Sequence, residues 1–89
     1  MAVTIRFQPT PNPNAGKFIV DREIVPGDRP RSYSTREEAA GDPLALALLE
    51  LDGVASVFMV EDFVTVMKDP AADWGDLIPR VEDAIRRSL

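Results

Sequence analysis

The sequence predicts an α+β two-layer sandwich: a mostly antiparallel sheet with helices packed on one face, one of them at the C-terminus. Three observations carry that expectation. Val3, Ile5 and Phe7 alternate with Thr4, Arg6 and Gln8, the period of a half-buried strand. The run VASVFMVEDFVTVMK, residues 54–68, reads as two strands folded tightly on each other. Trp74, Leu77, Ile78, Val81 and Ile85 recur at helical spacing towards the end of the chain.

Taken in order, the first strand gives way to a proline-rich loop from Gln8 to Ala15. Proline lacks an N–H and fixes φ, so Pro9, Pro11 and Pro13 are excluded from a central ladder. They also push Gln8, Thr10 and Asn12 towards extended geometry. Lys17 to Val20 resume a strand with Phe18 and Val20 on one face, so the two strands form an antiparallel pair across a stiff connection. Asp21 to Pro30, with two prolines and a glycine, is mainly loop. Arg31 to Ser34 is a candidate short edge strand.

Helix signals follow. Ser34 with Glu37, or Thr35 with Glu38, fits a capping box, and Gly41 ends that short helix. Asp42 and Pro43 start the next as N-cap and first helical residue. In LALALLEL, 44–51, Leu44, Ala47, Leu48 and Leu51 form one stripe, while Leu46 and Leu49 point roughly the other way. Gly53 ends the segment.

The hairpin turns at Glu61-Asp62. With a two-residue loop, Val57 pairs with Val66 and Met59 with Val64 on the better core candidate face. Ser56, Phe58 and Val60 then share the second face with Met67, Thr65 and Phe63. The turn lacks the usual glycine, and a register slip would exchange the two faces. In the last helix Asp73 and Asp76 near the start and Arg86 and Arg87 near the end match the macrodipole. Pro79 argues for regular helix only from about Ile78, with a looser turn before it.

Eighty-nine residues suit one domain, 1–89, with a single modest core. The net charge of −5 argues against a nucleic-acid partner and favours, if anything, a basic one. There is no cysteine and no histidine. Disulfides, thiolate nucleophiles, imidazole bases and soft metal sites are therefore excluded within this sequence. MAVTIRFQPTP is not read as a signal peptide, and no apolar run reaches the length of a membrane span. The expectation is a cytoplasmic, non-enzymatic protein with no cofactor and no metal.

Carboxylates are the remaining acid–base groups. Glu37-Glu38, Glu61-Asp62 and Glu82-Asp83 are adjacent pairs, and neighbours in a helix or strand diverge rather than converge on one substrate. No calcium-loop spacing, no Gly-rich phosphate loop and no histidine to activate a serine is present. Three features remain for binding. The loop TPNPN (Thr10, Pro11, Asn12, Pro13, Asn14) either presents its asparagines on a stiff frame or merely connects two strands. Leu46 and Leu49 form an apolar patch or lie beneath the 22–31 loop. Phe58 and Phe63 dock a partner or belong to a second core face.

TPNPNAGKF, EEAAGDPLALALLELDGVASVFMVEDFVTVMK and DWGDLIPRVEDAI occur here in the order and spacing of a known family. From Ile5 to Leu89 the chain resembles the Nfu/NifU N-terminal domain family. Its signature falls on Thr10, Pro11, Asn12 and Pro13, followed by Lys17 and Phe18. Gly53, Val54, Phe58, Asp62, Phe63, Thr65 and Val66 match its hairpin.

The resemblance implies a stand-alone accessory or adapter domain in iron–sulfur cluster assembly or transfer. Its partners would be iron–sulfur carriers or client apoproteins. In longer members this domain precedes a NifU-like domain whose Cys-x-x-Cys holds a cluster. With no cysteine, this chain is expected to act by protein contact alone. Two alternatives stay open: iron or another hard cation held by carboxylates, and a regulatory module accepting a peptide strand near Arg31–Ser34.

Overall fold

In a computed structural model, which describes residues 3–25 and 29–89, the N-terminal alternation becomes strand β1 (Ile5–Pro9), paired antiparallel with β2 (Ala15–Val20). The remaining elements are β3 (Arg31–Tyr33), α1 (Pro43–Leu49), β4 (Val54–Val60), β5 (Phe63–Lys68) and α2 (Trp74–Ser88). The sheet order is β1-β2-β5-β4-β3, antiparallel throughout. This is the two-layer α+β sandwich that the sequence implies.

The proline loop is shorter than expected, because β1 runs through Gln8 to Pro9 and β2 begins at Ala15. Pro9 is tolerated because β1 is an edge strand. The Asp21 N–H donates to the Thr4 carbonyl at 3.1 Å, so the alternate residues Thr4, Arg6 and Gln8 turn their amides towards β2. The missing N–H of Pro9 then lies on the solvent side.

The hairpin adopts the two-residue turn, with Val57 opposite Val66 and Met59 opposite Val64. Those four side chains are buried with Phe18 and Val20 on one face of the sheet. Leu44 and Leu48 from α1 and Leu77, Val81 and Ile85 from α2 complete the same core. Burying each such side chain contributes roughly 1.5–3 kcal/mol. Ala45 takes a buried place in α1, whereas Ala47 and Leu51 of the expected stripe are only half-buried. Leu46 and Leu49 are also half-buried against the core rather than forming a free patch.

Without a glycine, the turn places Glu61 at φ 52°, in the left-handed region. The chain after β2 holds it there. Ile24 and Val25 both donate their N–H groups to the Glu61 carbonyl, at 2.6 and 3.0 Å, and Val20 donates to the Asp62 carbonyl at 2.8 Å. Val25 is buried in the process. Thus part of the expected 21–30 loop straps the hairpin tip; residues 26–28 lie outside the described residues.

Two expectations are corrected. Residues 34–41 form a run of overlapping turns rather than a short helix, although the Thr35/Glu38 capping box is made. The Glu38 N–H donates to Thr35 Oγ1 at 3.1 Å, and Glu38 Oε1 accepts from the Ser34 and Thr35 amides. Eight residues ending in Ala-Ala-Gly cannot repay the nucleation of a longer helix. The last helix is regular from Trp74, with Pro79 inside it. The carbonyl that Pro79 leaves unpaired belongs to Gly75, and both residues are exposed, so water satisfies it.

Gly16 is set by a close approach. Phe7, Phe18 and Trp74 cluster over it, with Phe7–Phe18 centroids 5.1 Å apart and Phe7–Trp74 centroids 5.3 Å apart. A Cβ at Gly16 would lie 2.5 Å from Phe7 Cε1 and 2.9 Å from Trp74 Cη2. Gly16→Ala is therefore expected to lose about 1–3 kcal/mol of stability, measured by denaturant unfolding with Trp74 fluorescence as reporter. At the hairpin tip, Glu61→Gly is expected to be neutral or stabilising by up to about 1 kcal/mol. Glu61→Val at the same φ is expected to lose more than about 1 kcal/mol in the same assay.

Candidate interaction surface

Strand alternation sends a second set of side chains to the sheet face opposite the helices. The register places Arg6 beside Ile19, Lys17 beside Thr65, Ile19 beside Phe63, and Phe58 beside Thr65. This face is apolar for a solvent-facing layer. Phe58 is 39% exposed, and its ring centroid lies 6.4 Å from that of the half-buried Phe63. Lys17 Nζ sits 4.1 Å above the Phe63 ring, a cation–π contact in reach of water. Phe58 and Phe63 are thus brought together on an open face, not in a second core.

The TPNPN loop is held by its own hydrogen bonds. The single Thr10 Oγ1–H proton is shared between the carbonyls of Asn12 and Ala15, at 2.9 and 3.0 Å, and the hydroxyl oxygen accepts from the Asn12 N–H. Asn12 Oδ1 accepts from the Asn14 N–H at 2.9 Å, an Asx turn. Two distant groups then lock the loop: Trp74 Nε1–H donates to the Pro13 carbonyl at 2.9 Å, and Lys68 Nζ donates to Asn14 Oδ1 at 3.1 Å. The side-chain oxygens of Thr10, Asn12 and Asn14 frame the loop, while Pro11, Asn12 and Pro13 face solvent. Asn14 bonds Lys68 at one end of β5, and Phe63 begins the other end, so the loop and the aromatic pair are separate surfaces.

Lys68 and Trp74 are the partners that sequence reading missed. The chain carries only two lysines, Lys17 and Lys68. Lys68 points to the helical side and is nearly buried, while Lys17 points to the open face. Alternation supplied the signal for Lys17 and Ile19, since both lie between the inward Gly16, Phe18 and Val20.

The carboxylates do not converge. A shallow cleft of about 350 Å³ beside the start of α2 is lined by Asp52, Asp69, Asp73 and Asp76 with Arg80. Asp73 caps α2 through the Gly75 N–H, and Asp69 accepts from the Ala71 N–H. Among the described residues no group of three carboxylates is placed to hold a metal ion. The strand β3 is an edge of three residues, with Arg31 and Ser32 exposed.

On the inward side of β3, Tyr33 Oη donates to Asp42 Oδ2 at 3.3 Å, and Arg31 Nη1 approaches the same oxygen at 3.5 Å. Asp42 Oδ1 caps α1 through the Ala45 N–H. One carboxylate thereby ties the edge strand to the helix. Burial, then the negative charge of Asp42, pushes the Tyr33 hydroxyl above its ordinary value of 10.0.

The sandwich with one covered and one open, aromatic sheet face defines the class of protein. The chain matches the family model described as scaffold protein Nfu/NifU N terminal over residues 5–89, and it belongs to that family. It is 40% identical over 78 residues to the human mitochondrial NFU1 iron-sulfur cluster scaffold homolog, a stretch that is 86% of this chain and 30% of the relative. It is 35% identical over 89 residues to the NifU-like protein C1709.19c of Schizosaccharomyces pombe, 99% of this chain and 34% of the relative. The chain therefore spans about a third of the length of these relatives. Among solved structures, protein SAV1430 from Staphylococcus aureus matches with TM-score 0.81 and 28% identity, over 96% of this chain and 99% of that one. A NifU-like protein from Saccharomyces cerevisiae matches with TM-score 0.82 and 26% identity, over 97% and 77%. The family is linked to iron–sulfur cluster biogenesis, as the names of its relatives record. Among the described residues no helix is long and apolar enough to cross a membrane.

The Tyr33 shift has a pH consequence. The folded state holds the hydroxyl proton more tightly than the unfolded chain, so its contribution is complete below pH 10.0 and is lost as pH climbs through the raised folded value. Denaturation midpoints across an alkaline series are expected to fall above that point, and Tyr33→Phe to remove this part of the fall. Tyr33 is the only tyrosine, so tyrosinate absorbance reads its folded value directly.

Proposed function

We propose that this chain, as a single non-catalytic domain over 1–89, is an accessory or adapter in iron–sulfur cluster assembly or transfer. It works by contact with cluster carriers or client apoproteins. The observation that supports this most is the open sheet face, where Phe58 stands exposed beside Phe63 and Lys17. The absence of cysteine and histidine supports it from the other side, since cluster ligation by thiolate or imidazole has no residue here. With no cysteine, no disulfide ties the chain to an oxidising compartment, and the cytoplasm is the proposed location. The contact surfaces proposed are the Thr10–Asn14 loop and the Phe58/Phe63 face.

The test is anaerobic affinity capture with lysine-directed crosslinking and mass spectrometry. Iron–sulfur carriers or apoproteins are expected, crosslinked at Lys17. Lys68 is expected to react little, because its amine is bonded to Asn14 and the Asp69 carbonyl. Phe58→Ala and Phe63→Ala are expected to reduce capture about tenfold or more while keeping the native fluorescence of Trp74. Asn12→Ala tests the loop in the same way. Equal capture by folded variants would remove the corresponding surface, and capture of proteins with no cluster connection would remove the iron–sulfur role.

A further inference from the structure

The chain is acidic, with net charge −5, yet the charge on the open face has the opposite sign. Its strand positions carry Arg6 and Lys17, diagonal to each other across β1 and β2 (Arg6 opposite Ile19, Lys17 opposite Gln8), and no carboxylate. Beside this basic strip an apolar row crosses β2, β5 and β4 at their hairpin-tip end, Ile19, Phe63 and Val60 in register, with Phe58 one step further along β4. The nearest acids are Glu61 and Asp62 in the hairpin turn, chain neighbours of Val60 and Phe63, so the row is basic at its β1–β2 side and acidic at its tip. Net charge points to a basic partner, but the face that lacks a cover is complementary to an acidic one.

We propose that this face receives an amphipathic helix of a partner protein. The helix lays its apolar stripe over Phe58, Phe63 and Ile19 and turns a row of carboxylates towards Arg6 and Lys17. A helix on this face turns the two-layer sandwich into three layers, each sheet face buried by helix. A membrane surface fits less well, because two cations on an acidic protein fall short of the clusters of about four to eight that hold anionic lipid. The Lys17 ammonium, already fixed over Phe63, is positioned where a helix covering that ring would bring its flanking acid. The inference rests on the open face being the docking surface proposed above.

Two helix-forming probe peptides of equal length and equal apolar stripe, one flanked by Glu and one by Lys, separate the possibilities. Amide chemical shifts of the full chain are followed during titration. The Glu peptide is expected to perturb β2, β4 and β5, to bind at least about tenfold more tightly than the Lys peptide, and to weaken as salt is raised. In the pair Arg6→Glu and Lys17→Glu the preference is expected to reverse, with the amide spectrum showing an intact fold. Equal binding of both peptides, or shifts confined to the helical side, would overturn the proposal. Binding of anionic phospholipid vesicles through the same residues, in place of the Glu peptide, would overturn it in favour of a lipid surface. Failure of both peptides, with crosslinked capture at Lys17 still lost in Phe58→Ala, would reject the acidic helix while leaving the docking face standing.

Discussion

The indole of Trp74 is the contact on which the two ends of this fold depend. Its ring lies on the bare backbone of Gly16 beside Phe7 and Phe18, and its N–H reaches the Pro13 carbonyl. One side chain at the first turn of α2 thus fixes the helix against the β1–β2 end of the sheet. The TPNPN loop gains its shape from the same contact. Pro11 and Pro13 limit the unfolded loop, Thr10 and Asn12 close it internally, and Trp74 and Lys68 hold it from sixty residues away or nearly so. The signature stretch is stiff because it is a seat for the last helix, whatever else it contacts.

A second constraint acts at the other end. The hairpin tip takes a left-handed residue, Glu61, without glycine's freedom, and its carbonyl is held by two amides from the chain after β2. With both ends of the β2–β5–β4 centre pinned, the register cannot slip, and a slip is what would exchange the covered and open faces. The aromatic pair therefore stays outward for a mechanical reason. Val57, Met59, Val64 and Val66 are held under the helices, and Phe58 and Phe63, one position out of phase, have no choice of face.

The elements legible in the sequence were those with a period. The alternation of β1, the hairpin pairing and the helical spacing of α2 translate directly into observed elements, and Asp42-Pro43 into an observed helix start. What was not legible depended on partners distant in sequence. Pro79 reads as a helix breaker until both it and Gly75 are seen to face water. Residues 34–41 read as a helix by their capping box, yet the box opens only a run of irregular turns. Within the candidate surface, Phe58 and Phe63 were identifiable because two phenylalanines on the weaker face of a hairpin demand an explanation. The confinement of Asn14 by Lys68 was not, since nothing local in NPN foretells a lysine across the sheet.

Charge gives the last step. A chain with fifteen acidic and ten basic side chains is expected to repel acidic partners at long range. At contact distance the relevant charge is that of the few groups within about a Debye length, roughly 8–10 Å, of the docking face. On the strands of that face they are Arg6 and Lys17, and at its tip end Glu61 and Asp62, one residue from Val60 and Phe63. In the docking we propose, selection is by orientation: an acidic helix is repelled at the hairpin tip and along the cleft by α2, where Asp and Glu predominate, and meets cations only on the β1–β2 side of the sheet.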